Sequence, residues 1–300
     1  MNTLSTETVR QYLETASRQI DKELDRLLPL ADHYPPSIHQ AMRYSVFAGG
    51  KRLRPILCLE AGRLLGGEER TLVRLGSALE LIHTYSLIHD DLPALDNDDL
   101  RRGKPTSHRA FGESTAILAG DALLTLAFEV LSAPGGPPEA CRLRVIHELA
   151  HALGTERGMI AGQVIDLQMA GQKAEPCTLE YIHSAKTGAF ICAAVRSGAI
   201  YVQGSEEDLA RLTTYGEKVG LAFQIGDDLL DVLGTQESLG KTVGKDDRQH
   251  KATYPAIHGI EESQRRAFQL VEEACEILEP YGGRAHILQG IAQYLLVRKN

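Results

Sequence analysis

Apolar side chains recur at steps of three and four residues along most of the chain, the spacing of one face of an α-helix. The first segment shows this with apolar residues at Val9, Leu13, Ala16, Ile20, Leu24 and Leu27. Strand-like alternation of apolar and polar residues does not stand out anywhere. The periodicity therefore predicts an all-α protein of about ten helices.

Proline and glycine clusters divide this pattern into helices of ordinary length. They fall at residues 35–36, 49–50, 66–67, 103–105, 133–139, 171–176, 204, 234–250 and 280–283. Short connections predict neighbouring helices in one bundle. The stretch "APGGPPE" (residues 133–139) has the same helical pattern on both sides, so we interpret it as a surface loop. We expect a single domain over residues 1–300.

Three polar residues stand where helix N-caps are expected. Ser37 follows a double proline, and Thr178 precedes an apolar helical run. Ser205 has Asp208 three residues on, an acidic relative of the capping box. Each is predicted to begin a helix.

Composition narrows the class of protein. A net charge of −8 without a basic stripe argues against a nucleic-acid partner. The absence of eighteen consecutive apolar residues argues against a membrane span, and the N-terminus lacks the pattern of a secretory signal. The five cysteines form no C-x-x-C pair, so we expect reduced thiols and a cytoplasmic location.

The first of two acidic segments, "LIHDDLPALD" (residues 87–96), closes an apolar helix. Asp90 and Asp96 are six residues apart, which in an unbroken helix puts them about 120° out of line. Pro93 lies between them and cannot donate a backbone hydrogen bond. We therefore expect the helix to end or bulge there and bring Asp96 back toward Asp90.

The second acidic segment, "FQIGDDLLD" (residues 223–231), also closes an apolar helix. Gln224, Asp227 and Asp231 share one helical face, and Asp228 points about 100° away from Asp227. Two carboxylates on an otherwise apolar face repel each other unless a cation lies between them.

Two carboxylate pairs suit a hard divalent cation. Mg²⁺ commonly binds one or two carboxylates together with substrate phosphates. An EF-hand calcium site fits poorly, because Leu100 stands where a third oxygen ligand is needed. Solvated charge at helix ends explains either segment alone, but the two together, with apolar flanks, favour a metal site.

Basic residues cluster in short segments that would neutralise the remaining phosphate charge. They are "AGGKRLRP" (residues 48–55), "RRGKPT" (101–106), "SAKTGAF" (184–190), "GKTVGKD" (240–246) and "HKATYP" (250–255). A single loop lysine is more often surface charge, but this set indicates a diphosphate-binding cavity. His83 lies two helical turns before Asp90, where a lone histidine is more often a hydrogen-bonded core residue.

These motifs together resemble the trans-isoprenyl diphosphate synthases. "DDLPALD" resembles their first aspartate-rich motif in its DDxxxxD form, and "GDDLLD" resembles the second, DDxxD, with "FQ" before it. "GGKRLRP", "RRGKPT", "AKTG" and "GKTVGKD" match further family motifs in the expected order. The resemblance runs from about residue 41 to residue 255, and within the family it is strongest to bacterial short-chain farnesyl diphosphate synthases.

The resemblance implies a single helical bundle around a central apolar cavity, as in isoprenoid synthases, and a homodimer. Three magnesium ions would hold an allylic diphosphate between the acidic motifs, with Asp90, Asp91, Asp96, Asp227 and Asp231 as metal ligands or their close neighbours. The allylic diphosphate would contact Arg101, Lys186, Thr187, Gln224, Lys241 and Lys251. Isopentenyl diphosphate would contact Lys51, Arg54, His83 and Arg102. The resemblance leaves Lys245, Asp246, Arg298 and Lys299 unassigned.

The implied activity is magnesium-dependent head-to-tail condensation of isopentenyl diphosphate with dimethylallyl or geranyl diphosphate, giving farnesyl diphosphate. Ionisation of the allylic C–O bond puts negative charge on the departing diphosphate, which metals and cations stabilise. The carbocation then has to be kept from water, so the cavity should be apolar. The alkene of isopentenyl diphosphate attacks, and a proton is lost to the released diphosphate.

Product length is implied by the residues just before the first motif. Tyr85 and Ser86 stand at the fifth and fourth positions before Asp90, and an aromatic fifth residue resembles the farnesyl (C15) enzymes. We hypothesise that Tyr85 closes the cavity; alternatively, it packs in the core. The alternatives for the whole chain are a geranylgeranyl (C20) synthase, a terpene cyclase and a non-catalytic synthase subunit. Basic motifs for a second diphosphate disfavour the cyclase, and the presence of both acidic motifs disfavours the subunit.

Overall fold

The computed structural model describes residues 4–169, 171–172, 175–233 and 253–297, and over these residues the protein is all-α. Its α-helices are α1 (Thr6–Leu27), α2 (Pro36–Val46), α3 (Leu53–Leu64), α4 (Glu69–Asp90), α5 (Ser107–Phe111), α6 (Glu113–Ser132), α7 (Glu139–Leu153), α8 (Met159–Met169), α9 (Pro176–Ile182), α10 (Ala189–Tyr201), α11 (Glu206–Leu233), α12 (Tyr254–His258), α13 (Ile260–Ile277) and α14 (His286–Val297). A π-helical turn (His183–Gly188) joins α9 to α10, and a 3-10 segment (Glu279–Ala285) precedes α14. Strand β1 (Leu100–Arg101) pairs antiparallel with β2 (Lys104–Pro105). The prediction of an all-α fold is confirmed.

Helices α3, α4, α10 and α11 form the centre of the bundle. Helix α3 is apolar on nearly every side, and consecutive residues from Ile56 to Leu59 are fully buried. A helix with this pattern has to be enclosed by others. Gly198 of α10 allows the closest approach, because a Cβ at this position would lie 2.1 Å from the carbonyl oxygen of Cys58. The core therefore depends on small residues as well as on large apolar ones.

Helix α1 confirms the amphipathic pattern of the N-terminal segment. Its buried residues, Val9, Ala16, Ile20 and Leu24, lie on one face. The helix begins at the hydroxyl of Ser5, which accepts a hydrogen bond from the backbone N–H of Thr8. The apolar face of α1 packs against α3 and α4, and its polar residues lie in solvent.

Of the three predicted N-caps, only the one at Ser205 is confirmed. The Asp208 N–H donates to the Ser205 hydroxyl, and the Ser205 N–H donates to the Asp208 carboxylate, each at 3.1 Å. Helices α2 and α9 begin earlier than predicted, at Pro36 and Pro176. Proline suits the first helical position because its fixed φ is already helical and its missing N–H would have no partner there.

Helix α6 is by length and hydropathy able to cross a membrane, with a mean hydropathy of 1.6 over an 18-residue window. Elsewhere in the described chain no helix meets this criterion. Core helices of bundles share this composition. Here α6 packs against α4 and α2, and 39% of the window is buried. All five cysteines are free thiols.

Candidate active site

The first acidic segment folds back on itself as its proline predicts. Helix α4 ends at Asp90, and the backbone N–H of Asp96 donates to the carbonyl of Asp90 at 2.9 Å. Pro93 lies in the turn between them. The interpretation of the six-residue spacing is confirmed, since both aspartates now stand at the end of the same helix.

Asp91 forms an ion pair with Arg101. Its side chain is buried, and the Arg101 Nε and Nη2 atoms donate to the carboxylate at 2.8 Å and 2.5 Å. The sequence analysis predicted Asp91 as a metal ligand and Arg101 as a contact of the allylic diphosphate. The structure pairs them with each other, which fixes the position of the β1–β2 hairpin that carries Arg101 and Arg102.

Arg102 follows in the same hairpin and lies over the glycine pair of the "AGGKRLRP" segment. Its guanidinium donates to the carbonyl of Gly49. Gly49 and Gly50 both have positive φ, 105° and 128°. A Cβ at Gly50 would lie 2.5 Å from Nη1 of Arg102. The glycine pair thus makes room for this cation.

The basic residues between Lys51 and Arg54 divide into different roles. Arg52 is buried and forms ion pairs with Glu80 at 2.7 Å and Asp21 at 2.9 Å, so it fixes the loop to α4 and α1. Lys51 is exposed. Arg54 is half-buried, with Nη1 lying 3.4 Å from Nε2 of His83.

Arg54, His83 and Arg102 form a positively charged cluster, which we call the basic pocket. Burial lowers the pKa of Arg54 to about 10, against the opposing charge of Glu80 and Asp227. Burial, followed by the charges of Arg54 and Arg102, lowers the pKa of His83 well below its usual value. The Nε atom of Arg54 is buried and makes no hydrogen bond within the described residues. An anion would satisfy this arrangement.

Lys186 and Thr187 lie in the π-helical turn, opposite α8. Lys186 Nζ donates to Asp166 at 2.8 Å. A Cβ at Gly162 would lie 2.3 Å from the backbone nitrogen of Lys186, so the two backbones approach as closely as they can. Single π-helical turns often occur at functional sites.

Sequence reasoning missed two residues of α8 that join this site. Gln163 Nε2 donates to the Asp90 carboxylate at 2.5 Å, and Asp166 holds Lys186. They are polar residues three positions apart in a mostly apolar helix, so they share a face. That spacing is the signal that could have found them.

The second acidic segment lies in the last three turns of α11. Asp227 is exposed, and Asp231 is half-buried. The amide of Gln224 donates to Asp228 at 3.0 Å instead of standing beside Asp227. The charge of Asp227 raises the pKa of Arg54, so Asp227 lies within electrostatic range of the basic pocket.

Several residues considered for the site are not among the described residues. Lys241, Lys245, Asp246, Lys251, Arg298 and Lys299 lie outside the described residues. Their assignments remain predictions.

Tyr85 and Ser86, the predicted determinants of product length, lie on α4 directly after Thr84. Tyr85 is 9% exposed, and its ring packs edge-to-face on His89 with centroids 5.6 Å apart. His89 in turn reaches α6, where its Nε2 lies 3.0 Å from the carbonyl oxygen of Ile117. The Ser86 hydroxyl donates to the carbonyl of His83 at 2.8 Å. Tyr85 therefore faces α6, about 140° around the helix from Asp90.

A separate cavity of about 800 Å³ lies between α11, α13 and α14. It is lined by apolar side chains such as Leu230, Phe268 and Val271, and by none of the predicted site residues.

The donor set of the two acidic segments fits Mg²⁺, which prefers carboxylate oxygen. Within the described ranges, no three His, Cys, Asp or Glu side chains come together as a complete metal site. Mg²⁺ commonly completes its ligand shell with substrate phosphate and water. Carboxylates within electrostatic range of a basic pocket are consistent with that arrangement.

Comparison with known proteins gives matches over nearly the whole chain. A family model described as polyprenyl synthetase matches residues 35–279. A dimethylallyltranstransferase of Fischerella ambigua is 48% identical over 99% of this chain and 85% of that protein. A geranylgeranyl diphosphate synthase of Cyanophora paradoxa is 46% identical over 96% of each chain. The crystal structure of an FPP/GFPP synthase from Zymomonas mobilis has a TM-score of 0.87 at 37% identity, covering 97% of this chain and all of that one.

Proposed function

Because the chain belongs to the polyprenyl synthetase family and is a prenyltransferase, we propose that it joins isopentenyl diphosphate head-to-tail to an allylic diphosphate with Mg²⁺. The observation that carries the proposal is that two acidic helix ends, on α4 and α11, accompany one basic pocket. An acidic pair alone would suit many metal proteins. The neighbouring cations add a site for a second diphosphate, which a condensation needs.

The acidic ends would hold the allylic substrate. We assign Asp90 and Asp96 on one side, and Asp227 and Asp231 on the other, as the carboxylates that bind Mg²⁺ and through it the diphosphate. Asp91 would act differently, because its ion pair with Arg101 fixes that guanidinium. Among the described residues, Arg101 and Lys186 would contribute positive charge to the allylic diphosphate, with Thr187 and Gln224 as polar neighbours. The roles of Lys241 and Lys251 at the same diphosphate remain predictions from the sequence.

The basic pocket would hold isopentenyl diphosphate. Arg54 and Arg102 supply charge, and neutral His83 supplies a ring nitrogen that donates or accepts. Lys51, which is exposed, would add a further positive charge from the same segment. Burial and the charge of Arg102 lower the pKa of Arg54, and burial lowers the pKa of Arg102, so an anion that binds between them would stabilise both charged groups.

Bound magnesium would stabilise the charge that develops on the departing diphosphate. The side chains of the protein would orient the two substrates and stabilise the same developing charge. Arg101 and Lys186 would donate to the diphosphate as it leaves, and the basic pocket would hold the alkene of isopentenyl diphosphate toward the carbocation. No protein base is required, since the released diphosphate accepts the proton.

We propose geranylgeranyl diphosphate as the main product, in place of the farnesyl diphosphate that the sequence motif suggested. The relative from Cyanophora paradoxa, 46% identical over 96% of its length, is a geranylgeranyl diphosphate synthase. Ser86, about 40° around α4 from Asp90, is a small side chain below the first acidic end. A small residue there leaves room for a longer tail.

Farnesyl diphosphate is the second candidate, and Tyr85 is the observation that favours it. If this ring closes the cavity, Tyr85→Ala should lengthen the product, which chromatography of the reaction products would show. A wild type that makes C15 and a variant that also stays at C15 would exclude Tyr85 as the floor. A wild type that makes C20 would show that the ring, packed toward α6, does not stop the chain at C15.

The activity itself is tested by incubating the purified protein with Mg²⁺, isopentenyl diphosphate and either dimethylallyl or geranyl diphosphate. Condensation should require both substrates and Mg²⁺, and it should be lost in Asp90→Ala and Asp227→Ala. The matched control is Asp99→Ala, an exposed aspartate of the same loop. Lack of condensation by the wild type, or activity that survives both substitutions, would overturn the proposal.

A further inference from the structure

Asp228 follows Asp227 in the second acidic segment but lies in a different environment. It is 5% exposed, and both of its oxygens have partners. Oδ1 accepts from the Gln224 amide at 3.0 Å, and Oδ2 accepts from the backbone N–H of Tyr254 at 2.8 Å. Oδ2 also lies 3.3 Å from Nε2 of His183, itself 4% exposed.

One carboxylate therefore joins three elements: α11, the start of α12 and the π-helical turn. The ring of Tyr254 stacks on that of His183, with centroids 6.2 Å apart. Backbone contact reinforces the junction, since a Cβ at Gly220 would lie 2.9 Å from the Cα of Gly188. A buried carboxylate is stable only when such hydrogen bonds replace water, so Asp228 draws these elements together.

We propose that Asp228 and His183 are positioning residues that hold the π-helical turn against α11. Lys186 and Thr187, which the turn carries, then stand at a fixed distance from Asp227. A diphosphate bound through Mg²⁺ to Asp227 meets Lys186 without rearrangement of the backbone. This inference rests on the proposed function, because it takes Asp227 as the metal ligand and gives Asp228 a different role.

The chemistry of asparagine separates a positioning role from a metal ligand. In Asp228→Asn the amide oxygen can still accept from Tyr254, and the amide nitrogen can donate to Gln224 once that side chain flips. The junction survives although the negative charge is gone. A metal ligand depends on that charge, so Asp227→Asn should not be tolerated in the same way.

The test measures binding of inorganic diphosphate with Mg²⁺ by calorimetry on the unliganded protein, together with the KM of each substrate. Loss of residues that support a metal ligand weakens metal affinity by about 10- to 100-fold. We expect an effect of that size in Asp228→Ala, a higher KM for the allylic substrate and a nearly unchanged KM for isopentenyl diphosphate. Asp228→Asn should bind within about threefold of wild type. Glu217→Ala, an exposed acid on the same helix, is the matched control.

His183→Phe keeps the stacking on Tyr254 and removes the ring nitrogen beside Asp228. It should show a smaller change in the same direction, and it serves if Asp228→Ala does not fold. The inference is overturned if Asp228→Ala or His183→Phe binds magnesium diphosphate as the wild type does, or if Asp228→Asn is as impaired as Asp227→Asn. A wild type that binds magnesium diphosphate but catalyses no condensation would instead refute the proposed function.

Discussion

Because Gly50 has no side chain, the guanidinium of Arg102 can occupy the space next to it. A Cβ there would lie 2.5 Å from Nη1 of Arg102, and the φ of 128° already disfavours other residues. We expect Gly50→Ala to displace the guanidinium and raise the KM for isopentenyl diphosphate about tenfold, the effect of losing one charge-assisted hydrogen bond. Steady-state kinetics with each substrate varied in turn would measure this. The KM for the allylic substrate should change much less.

The control for Gly50→Ala is Gly66→Ala, in the turn after α3. Gly66 also has positive φ, 85°, but a Cβ there meets nothing within 4 Å. This variant should lose about 1 kcal/mol of stability from backbone strain and keep its KM values. Equal kinetic changes in the two variants would mean that strain, not Arg102, is responsible.

His83 gives the folded protein a pH dependence of stability. Its pKa, lowered by burial and by Arg54, lies well below 6.5, the ordinary value that it regains on unfolding. Between these two values the unfolded state binds one proton more, so the free energy of unfolding rises with pH. The stability that His83 contributes at neutral pH is thus lost as the pH falls through about 6.5.

The measurement is urea unfolding at about pH 7.5 and about pH 5.5. Between these pH values the free energy of unfolding should fall by about 1 kcal/mol less in His83→Gln than in the wild type. His147→Gln, at an exposed position on α7, should lose as much as the wild type. The same pH dependence in all three proteins would show that His83 does not carry the effect.

On the scale of elements, the approach of α8 to the π-helical turn depends on Gly162. We expect Gly162→Ala to separate the two backbones, because its Cβ would lie 2.3 Å from the nitrogen of Lys186. Overpacking of this kind destabilises by about 1–3 kcal/mol, and binding of magnesium diphosphate should weaken as Gln163 and Lys186 move apart. Thermal unfolding and calorimetry measure the two effects.

A helical glycine in α14 provides the comparison. A Cβ at Gly290 would meet Cγ2 of Val9 at 2.8 Å, the end of a side chain that can move. Gly290→Ala should therefore leave diphosphate binding unchanged. If it weakens binding as much as Gly162→Ala does, the contact between α8 and the turn is not specific to the site.

These elements also show what periodicity predicts and what it leaves out. The faces of α1 and the fold-back after α4 follow from local spacing and from Pro93, so the sequence predicts both. Gln163 was missed because its partner Asp90 lies 73 residues away, and only the packed bundle brings α8 to α4. Adjacent Asp90 and Asp91 were given one role by their motif, yet Asp91 is buried in an ion pair with Arg101. The step of about 100° per residue did separate Asp228, which is buried, from the exposed Asp227.

On the scale of the whole molecule, α6 leaves apolar side chains at the surface. Ile117 is 43% exposed and Leu118 is 59% exposed, although other faces of the helix pack on α4 and α2. A second copy of the chain is the partner that a symmetric interface would supply. We therefore keep the prediction of a homodimer and place its interface on α6.

Light scattering during size-exclusion chromatography should give twice the chain mass of 32.8 kDa for the wild type. Leu118→Glu would bury a charge in the interface without touching the core, so the mass should fall to that of one chain. Leu30→Glu, at a 57% exposed position after α1, should remain dimeric. A monomeric wild type would refute the homodimer, and a dimeric Leu118→Glu would move the interface away from α6. Because Tyr85 reaches α6 through His89, the product length of the monomeric variant would then show whether a partner supports the floor of the cavity.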